Sequence, residues 1–91
     1  MMTAEEKENL RIALLRVLEV RASERFGLRA SALPTFLIRH GFRGTADADL
    51  QAELQYLADK GLAAIVGKTL SPENQSWRIT AAGRDFLATE A

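Results

Sequence analysis

Residues 50–62 read LQAELQYLADKGL, and residues 77–87 read WRITAAGRDFL. In the first stretch Leu50, Leu54 and Leu57 recur at helical spacing, and Gly61 stands where a helix wants a left-handed stop. In the second, Trp77 and Ile79 alternate with Ser76 and Arg78, which is the period of a strand with its aromatic and its isoleucine turned inward. Thr80 then opens a further helix holding Phe86 and Leu87. Between the two stretches, residues 62–67 form a short apolar run beside a glycine, and Ser71-Pro72-Glu73-Asn74 marks a turn. The spacing predicts a helix with a tight stop, a two-stranded hairpin and a closing helix.

Upstream the pattern is helical throughout. Thr3 and Glu6 have the spacing of a capping box, and a first helix is expected to run to about Arg21. Leu10, Leu14, Val17 and Leu18 make its apolar stripe, which Ile12, Leu15 and Val20 widen. A stripe that wide means a helix central to the core or one that buries part of its face in a dimer. After a break at Ser23–Gly27, Ser31 is expected to cap a second helix, with Pro34 at its third position, where a missing N–H costs nothing. Leu33, Phe36 and Leu37 supply its buried side, and Gly41 its stop. Thr45 is the expected cap of a third helix, about 46–60, whose Asp47 and Asp49 suit the positive end of the helix dipole. The expected fold is mainly α with a two-stranded β-hairpin, in the order α-α-α-β-β-α, as one domain over residues 1–91.

Composition removes most kinds of chemistry. With 47% apolar and 26% charged residues the chain is globular rather than disordered. It has no cysteine and one histidine, His40, so thiolate metal sites, disulfides and a histidine relay are excluded. No phosphate-cradling glycine loop or nucleophile elbow is present, and neither a cofactor nor enzymatic activity is expected. Asp47-x-Asp49 lacks the glutamate that a calcium loop needs at its twelfth position, where Ala58 stands. Asn74-Gln75-Ser76 is a glycosylation sequon only in form. No apolar run is long enough to span a membrane, and the opening Thr3–Asn9 is acidic, so a cytoplasmic location is expected. Twelve Lys and Arg balance twelve Asp and Glu, yet the signs are segregated. Residues 21–43 hold five arginines against Glu24, whereas residues 44–61 hold Lys60 against four carboxylates.

The run Leu50-x3-Leu54-x2-Leu57-x3-Gly61-Leu62, then a hairpin, then Trp77-Arg78-Ile79-Thr80-x2-Gly83-x2-Phe86-Leu87, resembles a winged helix-turn-helix domain. The resemblance extends from about Leu10 to Leu87, and the small size is similar to that of prophage-encoded members. It implies a dimeric transcriptional regulator that binds double-stranded DNA, with the third helix in the major groove and the hairpin wing, about 63–79, on the backbone. On a helical wheel the outermost positions of the third helix are Ala48, Ala52, Gln55, Tyr56 and Asp59, flanked by Asp49 and Gln51. Ala48, Gln51, Ala52 and Gln55 are the expected base contacts, the amides for adenine edges and the alanines for thymine methyls. Arg39, His40, Arg43, Tyr56, Lys68 and Arg78 are the expected phosphate contacts, with Arg29 at the entry to the second helix as a further cation. The same helix carries Asp47, Asp49, Glu53 and Asp59, which supports an alternative: a protein-interaction module that does not bind DNA and uses its Ala/Tyr/acidic face.

Overall fold

A computed structural model of the chain describes residues 2–21, 27–67, 69–71 and 74–90; Lys68, Pro72, Glu73 and most of the expected break at 23–27 lie outside them. Four helices are seen: α1 (Ala4–Val20), α2 (Leu33–Leu37, with a 3-10 turn at each end), α3 (Asp47–Asp59) and α4 (Ala81–Glu90). Three strands accompany them, β1 (Leu28–Arg29), β2 (Ala63–Val66) and β3 (Ser76–Ile79).

The first helix begins as its sequence dictates. Thr3 Oγ1 accepts from the Glu6 N–H at 3.1 Å, and the Thr3 N–H donates back to Glu6 Oε1 at 3.2 Å. Leu10, Ala13, Leu14, Leu15, Val17 and Leu18 are all buried, because α1 packs against α2, α3, α4 and β3 together. Burial of a leucine contributes about 1.5–3 kcal/mol, so this one element accounts for much of the core. The wide stripe is therefore consumed within a single copy of the chain. Val20, 76% exposed, is the member left outside.

Two expected caps are displaced. Ser31 does not cap: the chain enters the second helix through a 3-10 turn at Ala30–Ala32, and Ala32 holds the cap position of α2 without a side-chain bond. The Ala30 N–H already donates to the Gln75 carbonyl at 2.8 Å, so the turn starts from a strand contact and Ser31 falls inside it. Pro34 consequently sits in the first two residues of α2, not the third. Thr45 likewise lies one residue before the cap of α3; Ala46 is the cap, in extended backbone, and the acids Asp47 and Asp49 occupy the first turn as expected.

The helix stops follow the glycines. Past α3, Gly61 adopts φ +75°, its N–H bonds the Ala58 carbonyl, and the Leu62 N–H bonds the Leu57 carbonyl at 2.9 Å. That 6→1 and 5→2 pair is a Schellman closure, and the same pairing ends the second helix at Gly41. Thr80 then locks the fourth helix to the third. Its Oγ1 donates to the Gly61 carbonyl at 2.7 Å and accepts from the Gly83 N–H at 3.0 Å, while its own N–H donates to the Leu62 carbonyl. Gly83 is needed by close approach: a methyl there would meet the Leu62 carbonyl oxygen and come within 2.7 Å of the Ile79 side chain.

The sheet keeps the expected hairpin, β2 with β3, and adds a strand to it. It has three antiparallel strands in the order β1-β3-β2. A two-residue strand leaves no periodic signal in a sequence, and Leu28–Arg29 pairs with Trp77 and Ser76 only because the fold brings it there. Trp77 and Ile79 are buried as their alternation predicts. The Trp77 Nε1 has no hydrogen-bond partner among the described residues.

Candidate nucleic-acid interface

The third helix turns outward the face that the wheel places there. Ala48, Ala52, Gln55, Tyr56 and Asp59 are exposed, Asp49 and Gln51 are half-buried beside them, and Leu50, Leu54 and Leu57 form its core side. Its charge, however, is not what a count of carboxylates suggests. Glu53 is 5% exposed, and Arg11 of α1 donates to its Oε1. Packing α1 against α3 thus withdraws the central carboxylate from the surface and pairs it. Of the others, Asp59 accepts from Gln55 Nε2 at 2.9 Å, and Asp47 and Asp49 lie in the first turn, where the dipole's positive end offsets them.

Tyr56 is drawn the same way. The Arg11 guanidinium stacks over its ring at 3.6 Å from the centroid, and Lys60 Nζ approaches the ring at 5.6 Å. Tyr56 therefore leans towards α1 and borders a cavity of about 330 Å³ with Ile12, Leu57, Leu62 and Phe86, apart from the alanine–glutamine face. The Arg11–Glu53–Tyr56 cluster is not legible in the sequence as a unit. One half of it was signalled: Glu53 completes the i, i+3, i+4, i+7 pattern of Leu50, Glu53, Leu54 and Leu57, which marks an inward position. Its partner lies 42 residues away, and no local pattern identifies it.

The expected phosphate contacts divide into groups. Arg39 and His40, exposed at the end of the second helix, lie against the C-terminal end of α1, around a cavity of about 160 Å³ shared with Val17, Val20 and Phe36. Arg43 is exposed in the turn before α3. Arg78 is exposed on β3, on the side opposite Trp77. Lys68 lies outside the described residues. None of the described helices is long and apolar enough to cross a membrane.

No family model matches the sequence, and neither does any curated protein. Among solved structures, the chain is similar to that of a PadR-like transcription factor from Bacteroides fragilis, with a TM-score of 0.69 over 92% of this chain and 78% of the other, at 20% identity. The fold is a winged helix-turn-helix. In its terms α2 and α3 are the helix-turn-helix pair, β2 and β3 are the wing, and α1 and α4 close the core behind them. The third strand, β1, has no counterpart in the expected order of elements.

Proposed function

We propose that this winged helix binds double-stranded DNA as a transcriptional regulator, with α3 in the major groove and the wing on the adjacent backbone. The observation that carries the reading is the burial of Glu53 against Arg11. It leaves Ala48, Gln51, Ala52 and Gln55 as a face that is small and neutral along most of its length, shaped to lie against a groove floor. The exposed Arg43, in the turn before that helix, and Arg78, on the wing strand β3, supply phosphate contacts, and Arg39 and His40 add cations beside α1. Tyr56 offers its hydroxyl to a phosphate, with the Arg11 guanidinium stacked over its ring. The likeness to a transcription factor over most of the chain supports the same reading.

Fluorescence anisotropy with a random duplex at two salt concentrations tests it. Phosphate-driven binding weakens steeply with salt, and Arg43→Ala should reduce the slope of log K against log salt by about 1. Ala52→Glu should abolish binding while leaving the fold intact, because it restores a carboxylate to the outward face. Failure of the wild type to bind at low salt would overturn the proposal. It would leave the protein-interaction reading, which the 330 Å³ cavity beside Tyr56, lined by Ile12, Leu62 and Phe86 together with Glu8, Arg11 and Lys60, favours.

Homodimer formation, regulatory action and a cytoplasmic location are part of the same proposal. Two reading heads on one palindromic site raise affinity without new contacts. The exposed Val20 beside the Phe36 cavity is a candidate contact. Light scattering that returned a strict monomer would remove the dimer and leave the α3 reading standing.

A further inference from the structure

The register of the sheet sorts its side chains onto two faces. Leu28 pairs with Trp77, Ile65 with Trp77, and Ala63 with Ile79, and these share the face that carries the buried Ala63, Trp77 and Ile79, with Ile65 exposed at its edge. Arg29 pairs with Ser76, Val66 with Ser76, and Ala64 with Arg78, and these form the outer one. Two arginines from different strands, Arg29 and Arg78, therefore stand on the same solvent face. Their positions are diagonal neighbours across the β1–β3 ladder, a relation that places residues about 7–8 Å apart. Both are exposed, the other residues of this face are Ser76, Ala64 and Val66, and none of the described strand residues on it is a carboxylate. Among the described residues neither arginine makes an ion pair, whereas Arg11 is paired with Glu53 and stacked on Tyr56.

We propose that Arg29 and Arg78 form a phosphodiester-binding pair on the outer face of the sheet, and that the short strand β1 serves to bring Arg29 there. The proposal rests on the DNA-binding reading and extends it to a residue that lies outside the wing hairpin. Two like charges held close repel, and a bridging anion relieves that repulsion. Guanidinium groups suit the task because their planar forks match phosphate oxygens with two parallel hydrogen bonds. The backbone that presents Arg29 is constrained on both sides. Before it, Gly27 adopts φ +74° and passes so close to β3 that a Cβ would lie 2.6 Å from the Trp77 carbonyl oxygen. After it, the Ala30 N–H is bonded to the Gln75 carbonyl. Arg29 is thereby held by the sheet although the sequence places it between the first two helices.

The test compares wild type, Arg29→Gln, Arg78→Gln and the double variant for duplex binding across a salt series, with thermal unfolding followed by circular dichroism. Each single substitution should lower the salt slope by about 1 and the double by about 2, with no change in melting temperature. In the wild type, the Arg29 and Arg78 Nε–H resonances should shift on addition of a short duplex. A wild type that binds with an ordinary slope that Arg29→Gln leaves unchanged would overturn the pair and leave the DNA reading intact. A wild type that binds no duplex at low salt would overturn both.

Discussion

Two regions of this small domain treat charge in opposite ways. Where α1 meets α3, Arg11 and Glu53 are folded into the structure, one paired with the other and the guanidinium stacked on Tyr56. On the outer face of the sheet, Arg29 and Arg78 stand in solvent beside small neighbours. The first region uses its charges to hold two helices together, and the second leaves them available for a ligand. Formal neutrality, twelve charges of each sign, hides that division. A sum over the sequence weighs Glu53 and Arg78 alike, whereas burial determines which of them a polyanion meets.

Breaking the first region should have the largest effect. Arg11→Met is expected to destabilise the fold by about 3 kcal/mol, because it strands a buried carboxylate without its partner. In a domain of this size, that loss lowers the melting temperature by about 4–8 °C per kcal/mol, readable by calorimetry. Adding Glu53→Leu to that variant should recover most of the loss, since a hydrophobic pair can replace a buried ion pair at little cost. A double variant no more stable than Arg11→Met would show that the pair does more than neutralise itself.

Gly83→Ala comes next. Its methyl would press the start of α4 against the Leu62 carbonyl and Ile79, and overpacking of this kind costs about 1–3 kcal/mol by chemical denaturation. It should leave both charged regions as they are, which separates loss of stability from loss of charge. Exposed-face substitutions sharpen the contrast from the other side. Arg78→Gln should change stability by less than about 0.5 kcal/mol, within the usual range for surface positions. Its effect should appear in DNA binding instead.

The smallest expected effect lies at the opening of α1. The Thr3 backbone N–H, and then its side chain, hold the Glu6 carboxyl below its ordinary value. A depressed carboxyl contributes stability above its unfolded pKa and loses that contribution as pH falls through the folded one. Thr3→Ala keeps the backbone N–H and removes only the side-chain part, so it should return the Glu6 titration, followed by NMR, part of the way towards the ordinary value. No change in that titration would mean that the Thr3 side chain does not act on Glu6 in solution.

Much of the fold could be read along the chain because its determinants are local. The leucine spacing of α3, the glycine that stops it, the alternation of Trp77 and Ile79, and Thr80 as the clamp before Gly83 each act over a few residues. The outward face of α3 belongs with them, since helical geometry alone sets which side opposes Leu50, Leu54 and Leu57. Capping was read less well. Ser31 and Thr45 have the right chemistry, but tertiary contacts and the entering backbone moved the helix starts away from them.

What the sequence by itself determined is the order of the helices, the wing hairpin and the face that α3 turns outward, all products of period, turn and cap. Only the tertiary structure decided that Glu53 would be neutralised by a residue 42 positions earlier, and that two residues at 28–29 would become a strand. It also put Arg29 on the same face as Arg78. Local patterns fix the direction in which a side chain leaves its own element. Which charges remain in water depends on what packs against that element, and long-range packing leaves no spacing in the chain to read.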